Sequence, residues 1–160
     1  MEKQNIIHQY QKFLDKSDLT PSDFLILNHA LDQLPKAYAP YSNFHVGAAV
    51  LLNDGSIYFG CNQENASYPL CICGERVALY NAGVNQPNTP ISTLAIVVEN
   101  QKSFTTGMAT PCGACRQVIA EFEMRHRQSI RIILKSQAPE VYIFESIDAL
   151  LPYSFNKTFL

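Results

Sequence analysis

The chain has 160 residues, of which 47% are hydrophobic and 16% are charged, and its formal net charge is −2. A chain of this length can bury one sizeable core, so we expect a single domain over residues 1–160. The near balance of charges excludes a strong field for holding a polyanion. We therefore expect a small-molecule substrate and no nucleic-acid partner.

The N-terminal residues mix polar and isolated apolar side chains and lack the continuous apolar segment of a signal peptide. No apolar run is long enough to cross a bilayer. These features predict a cytoplasmic protein with no membrane partner. In that compartment an odd number of cysteines, five in this chain, favours metal binding or catalysis over a disulfide framework.

The first elements are predicted to form an N-terminal helical segment over residues 1–36. Four apolar residues share one helical face in its first part: Ile6, Tyr10, Phe13 and Leu14. Thr20 followed by Pro21 is typical of a helix N-cap with proline at the first helical position. We find no chemistry in this segment.

Residues 37–155 predict alternating strands and helices. Apolar runs indicate strands at 46–52, 57–61, 94–98, 130–134 and 141–144. Helical patterns cover 73–84 and 112–122, and a last helical turn is expected at 147–151. The Asn-Asp-Gly-Ser run at 53–56 is a strong hairpin signal between the first two strands. This order of elements predicts a layered α/β fold.

Three cysteines lie where predicted helices begin. Cys112 and Cys115 follow Pro111 at the start of one helix, and Cys73 opens another. The positive end of a helix dipole favours thiolate, which is the form that binds metal. Three thiolate ligands leave one tetrahedral position on zinc for water, and Glu75 is close enough in sequence to act as proton acceptor and donor for that water.

Cys-x-Glu followed by Pro-Cys-x-x-Cys resembles the signature of zinc-dependent deaminases in its all-cysteine form. Three thiolates outweigh the charge of zinc, so a positive group nearby would restore the acidity of bound water. Arg76 lies three residues after Cys73 on the same helical face, and Arg116 follows Cys115; either could donate hydrogen bonds to the sulfurs. We assign this role to Arg76 as a hypothesis.

Cys71 supports a different interpretation. Together with Cys73, Cys112 and Cys115 it could form a closed four-thiolate structural zinc site, with Glu75 merely solvated. The protein would then be a non-enzymatic binding module. A Cys-x-x-Cys pair alone is also compatible with a redox pair.

The context of both cysteine pairs resembles the small homotetrameric cytidine deaminases over about residues 37–155. The matching segments are AYAPYSNF at 37–44, VGAA at 46–49, GCNQENASYP at 60–69, ER at 75–76, PCGACRQ at 111–117 and LLPYSF at 150–155. The resemblance implies a three-layer fold with a central mixed five-stranded sheet flanked by helices. It also implies one zinc ion per chain, held by Cys73, Cys112 and Cys115, with Glu75 as the catalytic proton shuttle.

Further site residues are implied by the same resemblance. Phe44 would pack on the pyrimidine, and Asn62 and Glu64 would hydrogen-bond the ribose 3'-hydroxyl. The backbone N–H of Gly74 would meet the base carbonyl, and the carbonyl of Thr110 would face the departing amine. Two aromatic residues would each contribute to the site of a neighbouring subunit in the homotetramer: Tyr68 and Phe155.

The implied activity is hydrolytic deamination of cytidine and deoxycytidine to uridine and deoxyuridine, with release of ammonia, in pyrimidine salvage. A deaminase of another nucleoside-like amine shares the zinc core, but the Asn-Gln-Glu-Asn run at 62–65 favours a ribose-reading site. Three departures from the family pattern are Gly74, where alanine is usual, Cys71, where glycine is usual, and the longer segment 101–109 and N-terminal helical part. The basic cluster at 125–131 is interpreted as a solvated helix end, which argues against polynucleotide substrates.

Overall fold

The structure, a computed structural model, describes residue 3 and residues 5–160. Within these residues the strands are β1 (Gln11–Phe13), β2 (Phe44–Leu52), β3 (Ile57–Cys61), β4 (Ile91–Asn100), β5 (Arg131–Lys135) and β6 (Val141–Phe144). The α-helices are α1 (Pro21–Leu31), α2 (Gly74–Asn85) and α3 (Gly113–His126). The C-terminal helical turn is a short 3-10 helix, Ile147–Ala149. No helix in the described part of the chain is both long and apolar enough to cross a membrane.

The strands form one mixed sheet in the order β1-β6-β5-β4-β2-β3. The pair β4 and β5 is parallel, and the other neighbours are antiparallel. The predicted mixed sheet is confirmed, with five strands at the expected places. A sixth strand, β1, extends the β6 edge.

The β1 strand corrects the predicted N-terminal helix. Gln11 pairs with Ile143 and Phe13 with Val141, so this segment is extended where the apolar spacing indicated a helix. Ile6 and Leu14, which should have lain on the buried face of that helix, are 45% and 72% exposed. The open edge of β6 takes this segment as a partner, and that long-range pairing overrides the local pattern.

Helix α1 begins as predicted. Thr20 is its N-cap, Pro21 is its first residue, and Oγ1 of Thr20 accepts a hydrogen bond from the amide of Asp23 at 3.2 Å. The hairpin prediction is also confirmed, because β2 and β3 pair up to Leu51 and Ile57 around the turn. Gly55 takes a positive φ of 86° in that turn, which glycine adopts without strain.

Helices cover both faces of the sheet and make three layers. On β4, Ala95 and Val97 belong to the core under α1, whereas Leu94 and Ile96 belong to the core shared with α2 and α3. A strand buried on both faces is apolar at consecutive positions. Helix α2 packs on β2 and β3, and α3 packs against α2. The first turns of α2 and α3 meet at one cavity.

Candidate metal centre and active site

A cavity of about 460 Å³ lies where the first turns of α2 and α3 approach β2 and β4. Its lining consists of Ser42, Phe44, Val46, Asn62, Gln63, Glu64, Cys71, Ile72, Cys73, Glu75, Arg76, Ile96, Val98, Ala109, Thr110 and Cys112. The cavity therefore combines an apolar floor from the central strands with polar and ionisable groups from the helix starts.

The three predicted zinc ligands come together. Cys73 is the N-cap of α2, Cys112 is the N-cap of α3, and Cys115 lies in the first turn of α3. Their sulfur atoms all lie within 4.8 Å of one another. Sγ of Cys112 is 3.9 Å from Sγ of Cys73 and 3.5 Å from Sγ of Cys115. Tetrahedral zinc with Zn–S bonds of about 2.3 Å needs sulfurs about 3.8 Å apart, so the donor set fits zinc.

One of the three sulfurs is poised to be anionic. A hydrogen bond from Cys115, together with hydrogen bonds from Arg76 and Cys112, lowers the pKa of Cys73 to about 5. The same bond to Cys73, reinforced by burial, raises the pKa of Cys115. The cluster thus presents a thiolate with thiol neighbours that can lose their protons to an incoming cation.

Cys71 does not join this group. Within residue 3 and residues 5–160, the metal-ligating cluster contains Cys73, Cys112 and Cys115 alone. Sγ of Cys71 instead accepts a hydrogen bond from the amide of Asn65 at 3.2 Å. The closed four-thiolate site therefore has no geometric support, and a tetrahedral ion held by the three sulfurs would keep one open position.

Glu75 is a buried carboxyl group beside the sulfurs. Glu75 is 5% exposed. Its Oε2 atom is buried and has no hydrogen-bond partner among the described residues. Burial raises the pKa of Glu75, and the negative charge of Cys73 adds to this effect. A carboxyl group with a raised pKa and an unpaired oxygen at a cavity can both take and give a proton.

Arg76 and Arg116 play different parts. Nη2 of Arg76 donates to Sγ of Cys73 at 3.6 Å, and this contact agrees with the hypothesis for Arg76. The guanidinium of Arg116 donates instead to oxygen atoms of Thr110, Pro111 and Leu150. Arg76 is thus the arginine that bonds a ligand sulfur in this structure.

Asn62 braces the strand that forms one cavity wall. It is 9% exposed, its Oδ1 accepts from the amide of Val46 at 2.8 Å, and its Nδ2 donates to the carbonyl of Phe44 at 2.8 Å. Phe44 is half-buried and lines the cavity. The amide of Asn62 therefore fixes the backbone on both sides of His45.

Glu64 is held by the loop before β2. Its Oε2 accepts hydrogen bonds from the amides of Tyr41 at 2.9 Å and Ser42 at 3.3 Å. Burial alone would raise the pKa of Glu64, but these hydrogen bonds outweigh it and lower that pKa. Glu64 is therefore an anionic acceptor at the edge of the cavity.

The other predicted residues divide between the cavity and the surface. Thr110 lines the cavity, and Gly74 is buried at the first position of α2, where an added Cβ would lie 2.9 Å from the carbonyl oxygen of Val46. Tyr68 and Phe155 are 67% and 60% exposed and lie outside the lining of this cavity. Gly74 and Cys115 are not in the lining but adjoin residues that are, so a single chain brings together every predicted site residue except these two aromatics.

Several lining residues were not predicted from the sequence. Ile96 and Val98 face the cavity from β4, and Ser42 and Ile72 reach it from the loops before β2 and α2. A signal for the first two existed, because alternate residues of a buried strand point to one face. Ser42 lies within the segment 37–44 already singled out, and Ile72 adjoins Cys73.

Comparison with known proteins identifies the family. The family model described as the "cytidine and deoxycytidylate deaminase zinc-binding region" matches residues 22–129. A cytidine deaminase of Sporosarcina psychrophila is 43% identical over 122 residues, which cover 76% of this chain and 82% of that protein. The crystal structure of the cytidine deaminase from Burkholderia pseudomallei is 40% identical with a TM-score of 0.73, covering 86% of this chain and 100% of that one. With its three thiols, its buried glutamate and these relatives, the chain belongs to the cytidine and deoxycytidylate deaminase family.

Proposed function

We propose that this protein hydrolyses the 4-amino group of cytidine and deoxycytidine, giving uridine or deoxyuridine and ammonia, as a step of pyrimidine salvage. The observation that carries the proposal is the unpaired, buried Oε2 of Glu75 beside a three-thiol group, of which Cys73 and Cys112 line the same cavity as Glu75. The cavity volume of about 460 Å³ lies in the usual range for small-molecule sites.

Cys73, Cys112 and Cys115 would hold one zinc ion per chain. Zinc bound in such a site with an open position supplies a Lewis acid that makes water a nucleophile near neutral pH. The Arg76 contact with Cys73 offsets part of the negative charge of the three sulfurs.

Glu75 moves the protons of the reaction. Its carboxylate accepts one proton of the water that attacks C4 of the ring and delivers it to N3. It then takes the second proton of the same water and delivers it to the 4-amino group, so that the C4–N bond breaks and the C4 carbonyl forms. One water is consumed and one ammonia is released for each nucleoside. Burial, which raises the pKa of Glu75, makes the same group competent as base and as acid.

Side chains that line the cavity would bind the base and the sugar. Phe44 offers an aromatic face for the pyrimidine. Oε1 of Glu64 is available to accept a hydrogen bond from a ribose hydroxyl, because Oε2 is engaged by the amides of Tyr41 and Ser42. Asn62 would complete the contact with the 3'-hydroxyl.

Backbone groups would hold the reacting edge of the base. The N–H of Gly74 would bond the base carbonyl, and the carbonyl of Thr110 would receive the departing amine. Gly74 directly follows Cys73, and Thr110 lies two residues before Cys112. Substrate and metal would therefore be held by the same two helix starts.

A cytoplasmic homotetramer completes the proposal. Tyr68 and Phe155 are more than half exposed in the single chain, and large aromatic residues are enriched at subunit interfaces. Each would reach a neighbouring subunit's cavity. Sedimentation of the purified protein checks the assembly, and a monomer that is fully active would remove the shared-site part of the proposal.

Substrate choice tests the function directly. The purified protein is incubated with cytidine, deoxycytidine, cytosine, cytidine monophosphate, adenosine and an oligocytidylate, and ultraviolet absorbance and ammonia are followed. The proposal predicts turnover of the first two, with the oligonucleotide and adenosine unchanged. Turnover of adenosine or of the oligonucleotide with neither cytidine nor deoxycytidine converted would contradict it.

A further inference from the structure

Arg116 makes three hydrogen bonds that leave its own helix. Nε donates to the carbonyl of Pro111 at 2.7 Å, Nη2 to Oγ1 of Thr110 at 2.8 Å, and Nη1 to the carbonyl of Leu150 at 2.8 Å. Its acceptors belong to two segments. Thr110 and Pro111 lie just before α3, whereas Leu150 lies 34 residues after Arg116 in sequence. One half-buried guanidinium therefore joins the turn before α3 to the C-terminal segment.

The turn that Arg116 holds carries the least packed of the three thiols. Cys112 is exposed, whereas Cys73 is half-buried and Cys115 is buried. As the N-cap of α3, Cys112 makes no side-chain capping hydrogen bond. Core packing fixes Cys115, which is fully buried. Cys112 is held on the helix side by the amide of Arg116, which donates to its carbonyl at 3.0 Å, and on the other side by the backbone of Thr110 and Pro111.

The next residue strengthens the same connection. Nε2 of Gln117 donates to the carbonyl of Phe155 at 2.6 Å, and the amide of Phe155 donates to Oε1 of Gln117 at 3.2 Å. Consecutive side chains of α3 thus bind the C-terminal segment at Leu150 and at Phe155. This segment braces the metal-binding end of α3 although it supplies none of the three thiols.

We propose that Arg116 is a positioning residue of the metal centre. It fixes the Thr110–Cys112 turn against the C-terminal segment and so determines the position of the Cys112 thiol and of the adjoining cavity wall. The planar guanidinium satisfies three separate acceptors at once, which a lysine ammonium on a flexible stem does not reproduce. The part of the proposal that concerns turnover rests on the proposed function, whereas the part that concerns zinc retention does not.

Zinc release to an excess of a colorimetric chelator tests the proposal. The zinc-loaded wild type is compared with Arg116→Ala, Arg116→Lys and the control Arg125→Ala. Arg125 lies on the same helix but is exposed and contacts the carbonyl of Pro87, away from the thiols. Loss of groups that orient metal ligands typically costs 10- to 100-fold, so Arg116→Ala should release zinc about tenfold faster than the wild type and the control. Arg116→Lys should also release zinc faster, by about threefold or more.

Kinetics separate positioning from a general loss of structure. Moving Cys112 and Thr110 alters the reacting centre and leaves the contacts of Phe44 and Glu64 in place, so kcat for cytidine should fall while KM changes by less than about twofold. Release of zinc from Arg116→Ala at the rate of Arg125→Ala would overturn the proposal. If Arg116→Ala does not fold, the same result with Arg116→Lys overturns it. A wild type that retains zinc but deaminates neither nucleoside would contradict the proposed function, and the release rates would still decide the role of Arg116.

Discussion

Arg76 donates a hydrogen bond to the sulfur of Cys73 across one turn of α2, with Nη2 3.6 Å from Sγ. Between these two residues in sequence lies Glu75, whose buried carboxyl group lines the same cavity. A single helical turn therefore presents a metal ligand, a proton carrier and a positive charge. This arrangement explains why residues 73–76 carry most of the chemistry in the proposed mechanism.

Arg76→Gln should lower turnover without removing zinc. Glutamine keeps a hydrogen-bond donor but loses the positive charge that offsets the thiolates, so kcat for cytidine at neutral pH should fall about tenfold or more. Zinc content, measured on the same sample, should stay at the wild-type value. The matched variant Arg125→Gln changes an exposed arginine of α3 and should keep the wild-type kcat. An Arg76→Gln enzyme as fast as this control would refute the role of Arg76.

Glu75→Gln should retain zinc and fold, yet lose nearly all turnover. Glutamine matches glutamate in shape but moves no proton, and such groups contribute about 10²- to 10⁴-fold to rate. We expect kcat to fall about a thousandfold, measured by the absorbance change of cytidine. Glu121→Gln, on the exposed face of α3, is the control and should be fully active. Appreciable residual activity in Glu75→Gln would assign proton transfer to another group.

Asn62→Ala should destabilise the fold as well as the site. It leaves the amide of Val46 and the carbonyl of Phe44 without the two 2.8 Å bonds that Asn62 provides. Each unsatisfied buried group costs roughly 1–3 kcal/mol, so the free energy of unfolding in urea should fall by about 2 kcal/mol or more. The surface variant Asn88→Ala should change it by less than about 0.5 kcal/mol. Equal stability of the two variants would show that the Asn62 bonds contribute little.

Glu123 makes stability depend on pH. Its carboxylate accepts hydrogen bonds from the amides of Ile130 and Ile147 and from the hydroxyl of Ser146. Burial nevertheless raises the pKa of Glu123 above its ordinary value of 4.5. The unfolded chain therefore releases this proton first, and the stabilising contribution is present at low pH and lost as pH rises through the folded pKa.

Comparison with Glu123→Gln isolates this effect, because glutamine keeps an acceptor for both amides but does not titrate. The free energy of unfolding of the wild type minus that of Glu123→Gln should decrease between pH values of about 4 and about 7. Urea unfolding of both proteins at each pH measures the difference. A difference that increases with pH would mean that the hydrogen bonds outweigh burial and that the pKa is lowered.

The metal group was predictable because its information is local. Cys73, Cys112 and Cys115 each lie at a helix start that proline, spacing and helical periodicity mark in the sequence, and the structure brings their sulfurs together. The places of five strands along the chain followed from apolar runs of strand length. The mixed sheet, which is confirmed, was implied by the family resemblance. The roles of the substrate-binding residues stay predictions.

Long-range pairing explains what the sequence did not reveal. The β1 strand forms because the edge of β6, some 130 residues later in the chain, offers backbone hydrogen-bond partners. No local sequence pattern near Phe13 predicts that pairing. The contacts of Arg116 were equally hidden, since its acceptors are backbone oxygens of Pro111 and Leu150 and the hydroxyl of Thr110. Acceptors on the backbone leave no residue-type signal.

Zinc titration of the metal-free protein tests the central claim most directly. Zinc is removed with a chelator, added back in steps, and cytidine turnover is plotted against zinc bound per chain. We expect no turnover without metal and a linear rise that ends at about one zinc per chain, because three thiols and one open position form a single site. Full zinc binding without turnover of cytidine or deoxycytidine, or full turnover by the metal-free protein, would contradict it.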